Sequence, residues 1–179
     1  ELKNDIVVIS GSAPSSVNKN IYKDIINFLK INNNYIILDC AGELLRNGIE
    51  AKPNIIKPNK QEICELLNAE YNEDYVINEC KKIGLDLMVV SLGEDGALFI
   101  GKDVYKYDAL KVNYKSSVGA GDSLIAGLIY SKLNSFDMKD TIKMAMACAG
   151  AACETEGTKA PNYEDIIKMF NVEKSSDKI

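Results

Sequence analysis

Histidine is absent from the 179 residues, and that single gap removes much familiar chemistry. Without imidazole there is no Ser-His-Asp or Cys-His relay, and zinc loses its usual nitrogen ligand. A general base here is a carboxylate, a lysine or a tyrosine. The cysteines, Cys40, Cys64, Cys80, Cys148 and Cys153, are odd in number and form no C-x-x-C pair. They read as reduced, mostly buried thiols in a cytoplasmic setting. No apolar run approaches the length of a membrane span; the longest, Met144 to Cys153, is mostly alanine and glycine. The first residues show no signal-peptide pattern. Also missing are a G-x-x-x-x-G-K-[ST] loop and a G-x-G-x-x-G turn after any strand, the marks of P-loop and dinucleotide sites. No internal repeat, low-complexity segment or interdomain linker stands out.

What remains is globular in composition, 46% apolar and 26% charged. A net charge of -5 and no Lys/Arg cluster argue against nucleic acid as a partner. A small anion held by amides and one or two lysines is still compatible. The length suits one sizeable core. The chain opens with Glu1 and runs almost at once into a strand, so it reads as a piece of something longer.

Short apolar runs alternate with helical patterns. Ile6–Ile9, Tyr35–Asp39, Asn54–Ile56 and Leu87–Val90 read as buried strands. Between them, Asn18 is a candidate cap for a helix with Ile21, Ile25, Phe28 and Leu29 on one face. Shorter helices fall near Gln61–Leu67 and around Val76, Cys80 and Ile83. Near-continuous apolar strands separated by helices predict a mostly parallel sheet covered on both faces. A hairpin follows, Ala97–Ile100 and Val104–Tyr107 around Gly101-Lys-Asp103. Helices are predicted over 120–133, 139–153 and 163–170, and a polar tail over 173–179 is predicted to fray. Ligands of such sheets sit at the carboxyl ends of the strands. That places Ser10-Gly11, Asp39, Lys57–Asn59 and Ser91–Gly96 on one edge, with the turn before residue 120 expected to join them.

Within this frame the richest stretch is Ser117-Val-Gly-Ala-Gly-Asp-Ser123. Glycines at 119 and 121 permit conformations closed to other residues and a close approach of backbone to ligand. Free amides at a helix start then point at one spot, where an anion is welcome. Asp122 is either the N-cap of that helix or a base beside the amides. Residue 125 is not Glu or Gln, so the capping signal is incomplete. Ser91-Leu-Gly-Glu-Asp-Gly96 is either a polar turn or a second phosphate contact. Asn59 and Glu62, three residues apart, suit a capping box, and equally a polar pair holding water around magnesium. Asp39 reads as a strand-end turn residue or a third participant in that water network. The small residues of Met144–Cys153 imply close helix packing, with a nucleobase against them the less common alternative.

Taken in order, ISGSAP, LDCAGELL, IIKPNKQE, VVSLGEDGALF, SSVGAGDSLIAG and EGT at 156–158 resemble the ribokinase-like carbohydrate kinases. AGELL, KPN and SSVGAGDS look most like the branch acting on phosphorylated sugars. The resemblance implies an α/β fold of three layers, αβα, with a mostly parallel sheet. Residues 1–172 would be the C-terminal nucleotide-binding and catalytic portion. It implies ATP and Mg2+ as cofactors, and a phosphorylated sugar as substrate. Fructose 1-phosphate at its 6-hydroxyl is the expected substrate, tagatose 6-phosphate the alternative. A homodimer of the full-length protein is also compatible with it.

Residue by residue, the resemblance implies that Asp122 is the catalytic base and that Gly119, Ala120 and Gly121 form the anion hole. Ser91, Gly93, Gly96, Gly157 and Lys57 match nucleotide-contact positions. Asn59 and Glu62 match the family's N-x-x-E element for magnesium and its waters, with Asp39 nearby. Ser117-Val118 departs from the Asp-Thr common in the wider family, as the phosphosugar branch tolerates. The family's N-terminal half, with its lid and sugar-binding region, is missing. The isolated 179 residues are therefore expected to be inactive, or to bind nucleotide without catalysis.

Overall fold

Four short apolar runs find the same solution: each becomes a strand hydrogen-bonded in parallel to its sequence neighbour. The computed structural model describes residues 2–172 and 177–178, which divide into two units. The first holds residues 1–91 and 99–104. Its strands β1 (Ile6–Ser10), β2 (Tyr35–Asp39), β3 (Ile55–Ile56) and β4 (Leu87–Ser91) lie side by side in chain order. All three pairings are parallel, in registers such as Ile9↔Leu38, Leu38↔Ile56 and Ile56↔Met88. Each parallel step needs a crossover. These are α1 (Ile21–Lys30), then α2 (Gly42–Glu50), then α3 (Lys60–Leu67) with α4 (Glu73–Ile83).

The centre of this unit is apolar. Ile36, Ile37, Leu38, Ile56, Met88, Val89 and Val90 are buried, and Ile26, Leu45, Ile63 and Val76 cover them from the helices. A Cβ on Gly48 of α2 would fall 2.6 Å from Leu38 Cδ2, so helix and strand are in near contact there. The polar Asn34 is buried but satisfied. Its Nδ2 donates to the Leu29 carbonyl at 2.8 Å, and its Oδ1 accepts from the Asp5 amide at 2.9 Å.

Two expectations shift here. Asn18 does not cap α1: Asn20 precedes the helix without a side-chain cap, and the Asn18 oxygen accepts from the Asn20 amide instead. The buried stripe of α1 is Ile26 and Leu29, while Phe28 is 67% exposed. Likewise only Ile9 of β1 is buried and Val8 is exposed, because β1 stands at the end of the strand order.

The second unit holds residues 92–98 and 105–179. The hairpin strands β5 (Ala97–Ile100) and β6 (Val104–Tyr107) are shared between the two units. In the second, α5 (Ala120–Leu133), α6 (Met138–Cys153) and α7 (Tyr163–Phe170) follow the hairpin. Asp137 caps α6 by accepting from the Asp140 amide, so that helix begins one residue earlier than predicted. The alanine-rich face of α6 does what small residues permit. A Cβ added to Gly127 would lie 2.6 Å from Ala145 Cα and 2.9 Å from the Met144 carbonyl oxygen. The α5 and α6 backbones are therefore in contact, and larger residues cannot enter without parting the helices. Ser131, fully buried between them, returns its hydroxyl to the Gly127 carbonyl at 2.8 Å. Of the tail expected to fray, Asp177–Lys178 forms a strand, β7, paired antiparallel with β6; residues 173–176 and 179 lie outside the described residues.

Candidate active site

In the first unit the carboxyl ends of parallel strands face one way, and polar residues collect there. Asp39 ends β2, and its carbonyl accepts the Gly11 amide at 3.0 Å. Lys57 follows β3 directly and is 8% exposed. Its Nζ lies 3.2 Å from Asp39 Oδ1, so the buried ammonium has its counter-charge. Lys57 was expected as a phosphate contact; its ion pair with Asp39 is additional to that expectation. Beside them the Cys40 thiol is pushed up to about 12 by burial, with the charges of Asp39 and Glu62 adding to the effect.

Asn59 stands between β3 and α3 and makes both halves of a capping box. Its side-chain oxygen accepts the Glu62 amide at 2.9 Å, and Glu62 Oε2 accepts the Asn59 amide at 2.8 Å. The capping box leaves Glu62 Oε1 and the side-chain Nδ2 of Asn59 unused. Ser91, at the end of β4, is tied to the same place. Its amide donates to the Pro58 carbonyl at 3.0 Å, and Asn59 and Ser91 form a parallel bridge. Asp39, Lys57, Asn59, Glu62 and Ser91 are thus one cluster.

Does this cluster suit a metal? Among the described residues no group of three or more His, Cys, Asp or Glu could hold an ion, and Lys57 already neutralises Asp39. Magnesium gives up its waters reluctantly and needs only one or two carboxylates. The cluster fits an ion reached through water, not one caged by protein.

The remaining predicted residues belong to the second unit. After Leu92 the chain makes one 3-10 turn, Gly93–Asp95, closed by Leu92 donating to the Gly96 carbonyl at 2.8 Å. Gly96 is buried at φ +97°, and a Cβ there would fall 2.0 Å from the Tyr107 carbonyl oxygen. Packing alone therefore requires that glycine. Gly93 is exposed, with open space where a side chain would be, and is the member of the pair with room for a ligand. Gly157 is also exposed, at φ +59°.

At the start of α5 the two readings of Asp122 separate. The N-cap is Gly119, held at φ +82° in the left-handed region, and no side chain caps it. Asp122 is the third residue of the helix, exposed, and not its cap. Gly121, expected to share the special conformation, lies within the helix and is not among the positive-φ glycines. The amides also differ from expectation. Ala120 donates to the Ser117 carbonyl at 3.2 Å and Ser123 to the Gly119 carbonyl at 2.9 Å. Among the described residues, the amides of Gly119, Gly121 and Asp122 have no protein partner. The open cradle therefore consists of 119, 121 and 122, with Ala120 engaged. That Asp122, the expected base, offers an open amide as well depends on which N–H the Gly119 turn consumes, which residue types alone do not tell. Sequence reading also passed over Asn113 and Glu154, whose contact lies just upstream of this turn.

The chain as a whole is similar to known proteins. Residues 2–165 match the pfkB family of carbohydrate kinases. The 1-phosphofructokinase of Borreliella burgdorferi is 35% identical over 176 residues, spanning 93% of this chain and 55% of that protein. The structure of Escherichia coli phosphofructokinase-2 with potassium superposes with a TM-score of 0.87 at 27% identity, over 94% of this chain and 57% of that one. Arabidopsis thaliana ribokinase, complexed with ribose and ATP, shares the fold with a TM-score of 0.76 at 18% identity, over 94% of this chain and 56% of that one. The chain thus spans a little over half the length of these relatives. With the match covering nearly all of its residues, the chain belongs to the pfkB family of carbohydrate kinases.

Proposed function

We propose that the chain carries the nucleotide-handling and base-bearing part of an ATP-dependent sugar-phosphate kinase, acting on D-fructose 1-phosphate at the 6-hydroxyl. One observation carries the reading: an exposed carboxylate, Asp122, stands in the first turn of a helix whose Gly119, Gly121 and Asp122 amides are unspent. A carboxylate used as a cap would accept those amides itself. The sugar is chosen on the likeness to the 1-phosphofructokinase. Tagatose 6-phosphate is the alternative acceptor.

Phosphoryl transfer asks mainly for positioning and for neutralisation of charge on the moving group. Asp122 accepts the proton as the sugar O–H bond breaks and that oxygen bonds the γ-phosphorus. The bond from γ-phosphorus to the β-phosphate oxygen breaks, giving ADP and fructose 1,6-bisphosphate. The amides of Gly119, Gly121 and Asp122 donate to the equatorial oxygens, each bond to an anion being worth about 1.5–3 kcal/mol. Asn59 and Glu62, with Asp39 alongside, would hold the waters of a magnesium ion, which would offset phosphate charge. Ser91, Gly93, Gly157 and Lys57 are the nucleotide-contact candidates. The proposed setting is cytoplasmic, a reading that rests on the free thiols at all five cysteines.

The test is Asp122→Ala in the full-length protein. Turnover should fall by roughly 10²–10⁴, the usual contribution of a positioned base, while ATP affinity and melting temperature stay near wild type. Near-normal turnover overturns the assignment. The chain spans only 55% of the curated relative, and the piece alone is expected to bind nucleotide without turnover.

A further inference from the structure

The unspent amides of α5 hang on an irregular segment, and something must hold that segment still. We propose that Glu154 is the residue that does so, a positioning residue for the amide cradle; the inference rests on the transfer-site reading just given.

Between β6 and α5 the chain from 108 to 116 adopts no helix or strand. Its amides need partners, and three of them find these at the carboxyl end of α6. The Asn113 amide donates to Glu154 Oε1 at 2.7 Å. The Lys115 and Ser116 amides share the Cys153 carbonyl, at 2.8 and 3.3 Å. Two residues on, Ser116 Oγ accepts the Val118 amide at 3.1 Å, and the Gly119 turn begins. The approach to the cradle is thereby stapled to α6. So is the helix that follows it, through the backbone contact of Gly127 with Ala145. Loop and helix are fixed to the same support, which sets where the free amides point.

Two of these staples are backbone and would survive any side chain. Glu154 is the side-chain member, and its identity is unusual for its place. It is the C-cap of α6, whose last turn holds no basic residue. A negative charge there faces the negative end of the helix dipole, so helix stability does not account for it. The acceptor it offers to Asn113 does.

The experiment compares the full-length wild type with Asp122→Ala, Glu154→Gln, Glu154→Asp and Glu154→Leu, reading kcat, KM for ATP and melting temperature. Glu154→Gln keeps an oxygen at the same reach and should hold kcat within about twofold. Glu154→Asp retracts that oxygen, and Glu154→Leu removes it. Both should lower kcat roughly 10- to 100-fold, within the range a 1 Å misplacement costs, with KM for ATP little changed. Should Glu154→Leu fail to fold, the Gln and Asp pair decides. The inference is overturned if Glu154→Asp or Glu154→Leu turns over like wild type while Asp122→Ala does not, or if activity follows charge, with Asp tolerated and Gln not. A lower melting temperature at unchanged kcat also overturns it, leaving only a structural contact. If Asp122→Ala itself turns over normally, it is the transfer-site reading that fails.

Discussion

Lys57 and Asp39 form an ion pair across neighbouring strand ends, Nζ to Oδ1 at 3.2 Å, with side chains only 9% and 17% exposed. An ammonium and a carboxylate removed from water are costly singly and tolerable together. Their pairing brings a third constraint, since Lys57 leads through Pro58 into the Asn59 cap and the Ser91 bridge. Lys57→Met should therefore cost about 3–5 kcal/mol, because it strands the Asp39 charge. Lys57→Met combined with Asp39→Asn should recover most of that loss. Urea unfolding of the three variants checks this. A single variant as stable as wild type would mean that water already screens the carboxylate.

The Asn59–Glu62 capping box predicts a separation of stability from magnesium use. Asn59→Ala loses the acceptor for the Glu62 amide and should cost about 0.5–2 kcal/mol. Glu62→Gln keeps a carbonyl oxygen for the Asn59 amide, so stability should stay within about 0.5 kcal/mol. Its lost charge should instead raise the magnesium concentration needed for half-maximal turnover of the full-length protein. Unfolding curves and a magnesium titration of initial rates measure the two effects. Glu62→Gln with an unaltered magnesium requirement would reduce the pair to a cap.

Much of this was legible in the sequence, and the failures have local causes. Tyr35–Asp39 and Leu87–Val90 were readable because buried parallel strands need no alternation. The start of α5 was readable because Gly119 announces it. Phe28 was misplaced because Ile25, Ile26, Phe28 and Leu29 offer two adjacent stripes, and only packing against β2 and α2 chooses between them. Asn18 is no better marked as a cap than its neighbours, because three of the four residues before Ile21 offer polar side chains and the turn decides among them. In the site, residue types were legible but partners were not. The Asp39–Lys57 pair depends on the β2–β3 register. Which amides remain open depends on the φ of Gly119.

The buried thiols predict how stability changes on the alkaline side. Burial raises Cys80 from an ordinary 9.0 to about 12, with Glu79 adding to it, and raises Cys148 from 9.0 to about 11. Cys40 moves to about 12 for the reasons given above. In each case the folded chain holds a proton that the unfolded chain gives up near 9. Above that pH the unfolded state sheds protons the folded state keeps, so unfolding gains. The contribution is whole below about 9 and is lost progressively between about 9 and 12. Each pH unit in that window removes at most about 1.4 kcal/mol per thiol. Urea midpoints should therefore be level from pH 7 to 8.5 and fall at pH 10, and Cys80→Ala should flatten the fall. The same burial predicts slow alkylation of Cys40, Cys80 and Cys148 in the native protein at pH 8, with all five cysteines reacting once it is unfolded. Rapid native labelling at Cys80, together with a flat stability profile up to pH 10, would contradict the burial on which both expectations stand.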